Sequence, residues 1–143
     1  MHLNRCKLHL MSIELIPFDS EAHLQSTSDI SCVNFDGRKL AVLVAQTAAS
    51  AGRFNGAKFT FDWVSGFRFL DESDLLRYWR SDGYRGGYHL FSVVDGGWAK
   101  EEFNLEGVIE KRREWLIVTC NGCMNVFAHD APEILYGEFD DHA

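Results

Sequence analysis

Polar and apolar residues alternate most cleanly over residues 58–64, where Phe59, Phe61 and Trp63 fall on one side and Lys58, Thr60 and Asp62 on the other. A period of two predicts a half-buried strand. Shorter stretches read the same way at 13–18, with Pro17 marking an end or an edge, at 29–35, 67–70 and 89–94. The run 40–45 is apolar throughout, which periodicity alone leaves open between a buried strand and a helix start. Pairing across the turn dipeptide Asp36-Gly37 favours a strand. Residues 47–56 are small and polar and predict a loop, as does the glycine-rich stretch 81–87. Helical signals are few. Ser20 is placed to cap a helix over 21–26. Asp71 is placed to cap a second, with Glu72 and Asp74 in its first turn, Arg77 and Arg80 near its end, and Leu75, Leu76 and Trp79 as its apolar stripe. Residues 98–113 are charged and give no clear period.

The strongest local signal is Asn121-Gly122 between 115–120 and 123–128, which predicts a type I′ hairpin with both turn residues at positive φ. A two-residue loop there sets Cys120 opposite Cys123, Val118 opposite Asn125 and Leu116 opposite Phe127. The other face carries Trp115, Ile117 and Thr119 with Met124, Val126 and Ala128. Both faces are largely apolar, so this pair belongs at the centre of a sheet covered on both sides. The expected fold class is α+β: a mainly antiparallel twisted sheet with a few short helices packed on it, as a single domain over residues 11–143. Residues 1–10 are expected to be a disordered extension, and the acidic tail 137–143 to fray.

The length of 143 residues fits one domain with a real core. At 46% hydrophobic and 24% charged residues, wholesale disorder and collagen-like sequence are excluded. Charge changes the picture more. The formal net charge is −7, and it is uneven: residues 1–70 hold seven basic against six acidic residues, residues 71–143 seven against fifteen. An acidic half disfavours nucleic acid and favours a basic protein partner. The rival reading is that the charge only maintains solubility. No apolar run approaches the roughly 20 residues that span a bilayer, and the first residues make a poor signal peptide. A cytoplasmic protein, not bound to membrane, is therefore expected. Its four cysteines, Cys6, Cys32, Cys120 and Cys123, do not form a disulfide framework.

Candidate chemistry is sparse. Cys120-Asn121-Gly122-Cys123 is a CxxC on a hairpin tip. It reads foremost as two structural thiols; the alternatives are part of a metal site with His129 or Cys32, and a redox pair. A Cys120–His89 nucleophile has no local support. Glu101 and Glu102, if on a strand, point to opposite faces and do not converge for acid–base work. Arginine and aromatics interleave at 77–80 and 84–88. Stacking on bases uses such residues, but the order of elements does not fit an RNA-recognition module, and protein contact is the better account. No phosphate-binding loop, dinucleotide fingerprint or hydrolase motif occurs.

The segments Phe67-Arg68-Phe69-Leu70-Asp71-Glu72-Ser73-Asp74-Leu75-Leu76-Arg77-Tyr78-Trp79, Gly96-Gly97-Trp98, Glu114-Trp115-Leu116-Ile117-Val118, Cys123-Met124-Asn125-Val126 and Pro132 together resemble small bacterial immunity proteins of interbacterial toxins, of the contact-dependent-inhibition and Rhs type. The resemblance covers about residues 59–136, and its motifs are structural. It implies a non-enzymatic protein without cofactor or metal, whose partner is one cognate toxin domain, often a basic nuclease, neutralised by occlusion of its active site. On charge and loop position, the expected partner-binding residues are Asp82, Tyr84, Arg85, Asp95, Glu101 and Glu102. The rival function is a small-ligand-binding domain or enzyme with a pocket around Cys120, Cys123, His129 and Arg85.

Overall fold

The computed structural model describes residues 13–18, 27–106 and 112–140. The extension expected at 1–10 and the helix expected at 21–26 lie outside them. The strands are β1 (Glu14–Pro17), β2 (Asp29–Phe35), β3 (Leu40–Ser50), β4 (Arg53–Phe61), β5 (Gly66–Asp71), β6 (Leu90–Asp95), β7 (Glu114–Val118), β8 (Gly122–Phe127) and β9 (Glu133–Asp140). The helices are α1 (Leu76–Trp79), preceded by a 3-10 turn over Glu72–Asp74, and α2 (Trp98–Glu106). Among the described residues strand makes up 58% and helix 11%, so the fold is largely β, with the helices of the expected α+β class a minor part. The strands divide into two antiparallel sheets, ordered β1-β6-β7-β8-β5 and β2-β3-β4-β9.

β7 and β8 sit at the centre, as their two apolar faces require, and every residue of both is buried. One face of the pair, with Trp115, Ile117, Met124 and Val126, packs against Leu40, Val42, Val44, Ala57, Phe59 and Phe61 of the second sheet. The opposite face, with Leu116, Val118 and Cys123, packs against Leu75 and Tyr78 around α1, with Ile13, Leu15 and Phe91 beside them. The five-stranded sheet is thus the middle layer.

Five expectations are corrected, the first of them the fraying tail: residues 137–140 are the end of β9 and pair with residues 53–56. The segment 47–56 is not a loop. β3 and β4 pair out to Ser50↔Arg53, with irregularities after Ala45 and Ala48. β9 pairs along the other edge of β4, from Arg53↔Asp140 to Thr60↔Glu133. The ladder with β4 at 47–50, and ladders on both sides at 53–56, override the weak strand preference of these small residues, and at Gly56 the backbone lies against the Val44 carbonyl, where a Cβ has no room. Trp63 does not continue the buried stripe of Phe59 and Phe61. The strand stops at Phe61, and Asp62 accepts the Trp63 N–H at 2.9 Å. Trp63 turns outward at φ +51°, with 69% of its surface exposed.

Asp71 does accept a first-turn N–H, from Ser73 at 3.0 Å. The 3-10 turn that follows changes the phase, so the buried stripe is Leu75 and Tyr78, while Leu76 and Trp79 face solvent. The hairpin register differs by two residues from the expected one: Val118 pairs with Cys123 and Leu116 with Asn125. Thr119 explains the shift. Its N–H donates to the Gly122 carbonyl at 2.9 Å, and its hydroxyl accepts the Gly122 N–H at 3.2 Å. The turn residues are Cys120 and Asn121, and neither Asn121 nor Gly122 has positive φ, so the turn is not type I′. A shift of two leaves every side chain on its expected face.

Candidate partner-binding surface

Gly83 adopts φ +83° and lies against the Leu15 carbonyl, an approach that only glycine permits. This lets the loop after α1 run along the free edge of β1. The Asp82 N–H donates to the Ile13 carbonyl at 2.9 Å, and the Leu15 N–H donates to the Asp82 carbonyl at 2.8 Å. Asp82 therefore bridges to Glu14. On its other side Glu14 pairs with Asp95 at the end of β6. Three carboxylates distant in sequence are thus side by side, at the spacing of paired strands, about 5 Å between neighbouring Cα atoms. All three are exposed, and none has an ion-pair partner among the described residues. Among the described residues, no group of three His, Cys, Asp or Glu stands close enough to hold a metal ion.

Apolar side chains border this corner. Ile16 and Val94 are exposed on β1 and β6; Leu76 and Trp79 are exposed on α1, which packs on the face of the sheet that Ile13 and Leu15 cover. Trp79, 46% exposed, precedes Asp82 by three residues. The expected anchor Tyr84 takes a different role. Its ring stacks on Phe91 at 5.4 Å, and burial pushes its pKa up. Tyr84 packs inward and leaves Trp79 as the outward aromatic. Arg85 is exposed in the same loop.

Glu101 and Glu102 lie on α2, not on a strand, and both are engaged. Glu101 accepts from Arg68 at 2.7 Å and from Arg77 at 3.2 Å. Glu102 accepts the Trp98 indole N–H at 2.9 Å. Beneath them runs a buried polar chain. Arg68 Nε donates to Asn125 Oδ1 at 3.0 Å, Asn125 Nδ2 donates to Glu114 Oε2 at 2.8 Å, and the Tyr78 hydroxyl stands 3.1 Å from Asn125 Oδ1. Glu114 in turn accepts the first N–H groups of α2, from Trp98 at 3.1 Å and Ala99 at 2.8 Å. Burial pushes the Glu114 carboxyl above its ordinary pKa, against the pull of these donors. Every group has a partner, so the chain is a helix mount. Sequence reading missed it because its members, at 68, 78, 101, 114 and 125, carry no local spacing.

The pocket considered around Cys120, Cys123 and His129 is not assembled. His129 is exposed beyond one end of β8 and Cys123 lies near the other, about 20 Å away at strand rise. Cys123 is buried, and its thiol is pushed up to about 12 by burial. Cys120 Sγ accepts the Ser28 hydroxyl at 3.5 Å. His89 is buried with its ring bonded to the Val118 carbonyl and Gln46, each at 2.9 Å, as a hydrogen-bonded core histidine.

Compared with known protein families, curated proteins and solved structures, the chain matches none of them. No helix among the described residues is long and apolar enough to cross a membrane. The reading of this surface therefore rests on its own chemistry.

Proposed function

We propose that the chain is an immunity protein that binds a cognate toxin domain and covers its active site, with no chemistry of its own. The observation that supports this is the corner formed by Glu14, Asp82 and Asp95. Three exposed carboxylates on neighbouring strands, with no ion-pair partner among the described residues, favour a basic partner. Ile16 and Val94, exposed on the same two strands, and Trp79, exposed three residues before Asp82, supply apolar surface of the kind that anchors interfaces. Carboxylates steer a basic nuclease in, and the apolar rim holds it. Immunity genes adjoin the gene of their toxin, which makes the partner testable by name. The neighbouring gene's product, produced with this chain, is expected to co-purify as an equimolar complex with its toxic activity suppressed. Failure of that product to bind, with both proteins folded, overturns the proposal.

A further inference from the structure

The four-stranded sheet turns Val42 and Val44 of β3 into the core, so Leu43 between them points outward. On that outer face the register sets Cys32 of β2 opposite Leu43, and Leu43 opposite Lys58 of β4. One row along, Asn34 stands opposite Ala41. Side chains opposite one another across paired strands share a face. Leu43 is only 5% exposed although it points away from the core, so this face is walled and not flat. It holds a hollow of about 80 Å³, lined by Cys32, Asn34, Ala41, Leu43, Lys58 and Phe139. Ala41 and Leu43, on the middle strand, form the floor. Cys32 and Asn34 stand on the β2 side and Lys58 on the β4 side. Phe139 of β9, its ring 6.1 Å from that of Phe54, is the aromatic member of the wall. Lys58 is half-buried, and neither it nor Asn34 has a side-chain hydrogen bond or ion pair among the described residues.

We infer that this hollow binds a short-chain aliphatic carboxylate of about four carbons, as in butyrate. The charge sets the headgroup. One ammonium supplies one positive charge and three N–H donors, and the Asn34 amide supplies two more. A carboxylate carries one negative charge and two oxygens to divide between them, and its bond to an ammonium is of the stronger, charge-assisted kind. Convergence rests on the register. Lys58 and Asn34 flank β3 from its two neighbouring strands, about 10 Å apart across the sheet and about 7 Å along it. Their side chains lean on one hollow, and a carboxylate between them spans the gap. The walls set the tail. Leu43, Ala41 and Phe139 are apolar, so they take methylenes. At roughly 10–15 Å³ for each water-sized group, the hollow admits on the order of six non-hydrogen atoms, the size of four carbons and two oxygens. Nothing in this site depends on the proposed toxin contact, which lies on the other sheet.

The test is titration of the isotope-labelled full chain with butyrate, acetate and butan-1-ol at one fixed ionic strength, read from amide chemical shifts. Butyrate is expected to give saturable shifts at Cys32, Ala41, Leu43 and Lys58. Acetate, which lacks two methylenes, is expected to bind about tenfold more weakly, and butan-1-ol, which lacks the charge, not to bind. Lys58→Met keeps an unbranched side chain and removes the cation, and is expected to weaken butyrate by about tenfold or more. Ala41→Leu fills the floor and is expected to abolish binding, with a dispersed amide spectrum showing that each variant is folded. The inference is overturned if butyrate gives no saturable shifts, if the shifts fall outside this face, if acetate or butan-1-ol binds as tightly as butyrate, or if Lys58→Met binds like the parent.

Discussion

Glu114 is 1% exposed, yet its carboxylate accepts three hydrogen bonds and holds the start of α2. Burial raises its folded-state pKa above the ordinary 4.5. The folded protein then keeps this proton to higher pH than the unfolded chain. The group's contribution is most favourable at low pH and falls as pH rises through the window between the two values. Glu114→Gln should therefore change the slope of stability against pH in that window. Urea titrations of both proteins at several pH values measure it, and parallel curves would rule out the shift. The Cys123 thiol, pushed up to about 12, stays protonated at neutral pH. Alkylation of the native protein followed by peptide mass spectrometry should label Cys32 and Cys120 well before Cys123. Gly122 tests packing. A Cβ there would stand 2.7 Å from Phe69 Cζ and 3.0 Å from the Leu70 carbonyl. Gly122→Val should cost about 2 kcal/mol by crowding, read as a lowered melting temperature.

At the scale of elements, α2 is held by its ends and one ring. Trp98 stacks on Phe127 at 4.2 Å and lies under Arg68. Trp98→Ala should cost about 2 kcal/mol and speed amide exchange across 98–106 more than in β7 or β8. Uniform exchange changes would show that the helix has no local mount. The sequence displays strands where the signal is local: alternation marked the faces of β4, a two-residue turn near Asn121-Gly122 those of β7 and β8, and Asp36-Gly37 the β2–β3 hairpin. It hid what depends on distant partners. Residues 47–50 become strand because β4 folds back along them and 53–56 because β9 also lies beside them, and Thr119 moves the hairpin register through its own hydroxyl. Asp82 and Asp95 were legible as acidic loop positions, but Glu14, which joins them, was not, because only the β1–β6 pairing and the loop over Gly83 bring it there. The stacking of Tyr84 on Phe91 was not legible, because a tyrosine in a glycine-rich loop carries no mark of the ring it will meet.

For the whole molecule, the charge of −7 sets a field that attracts a basic partner from a distance, and salt screens it. The corner of Glu14, Asp82 and Asp95 concentrates that field at one edge of the five-stranded sheet. Charge and anchor should separate kinetically: Trp79→Ala is expected to raise the dissociation rate, with association little changed. The most direct test is the association rate with the neighbouring gene's product, measured from low to high salt, for the parent chain and for Asp82→Lys with Asp95→Lys. The account predicts that the parent's rate falls steeply with salt, and that the double variant associates at least about tenfold more slowly at low salt, the two converging when the charges are screened. A rate independent of salt, and equal in parent and variant, would contradict it.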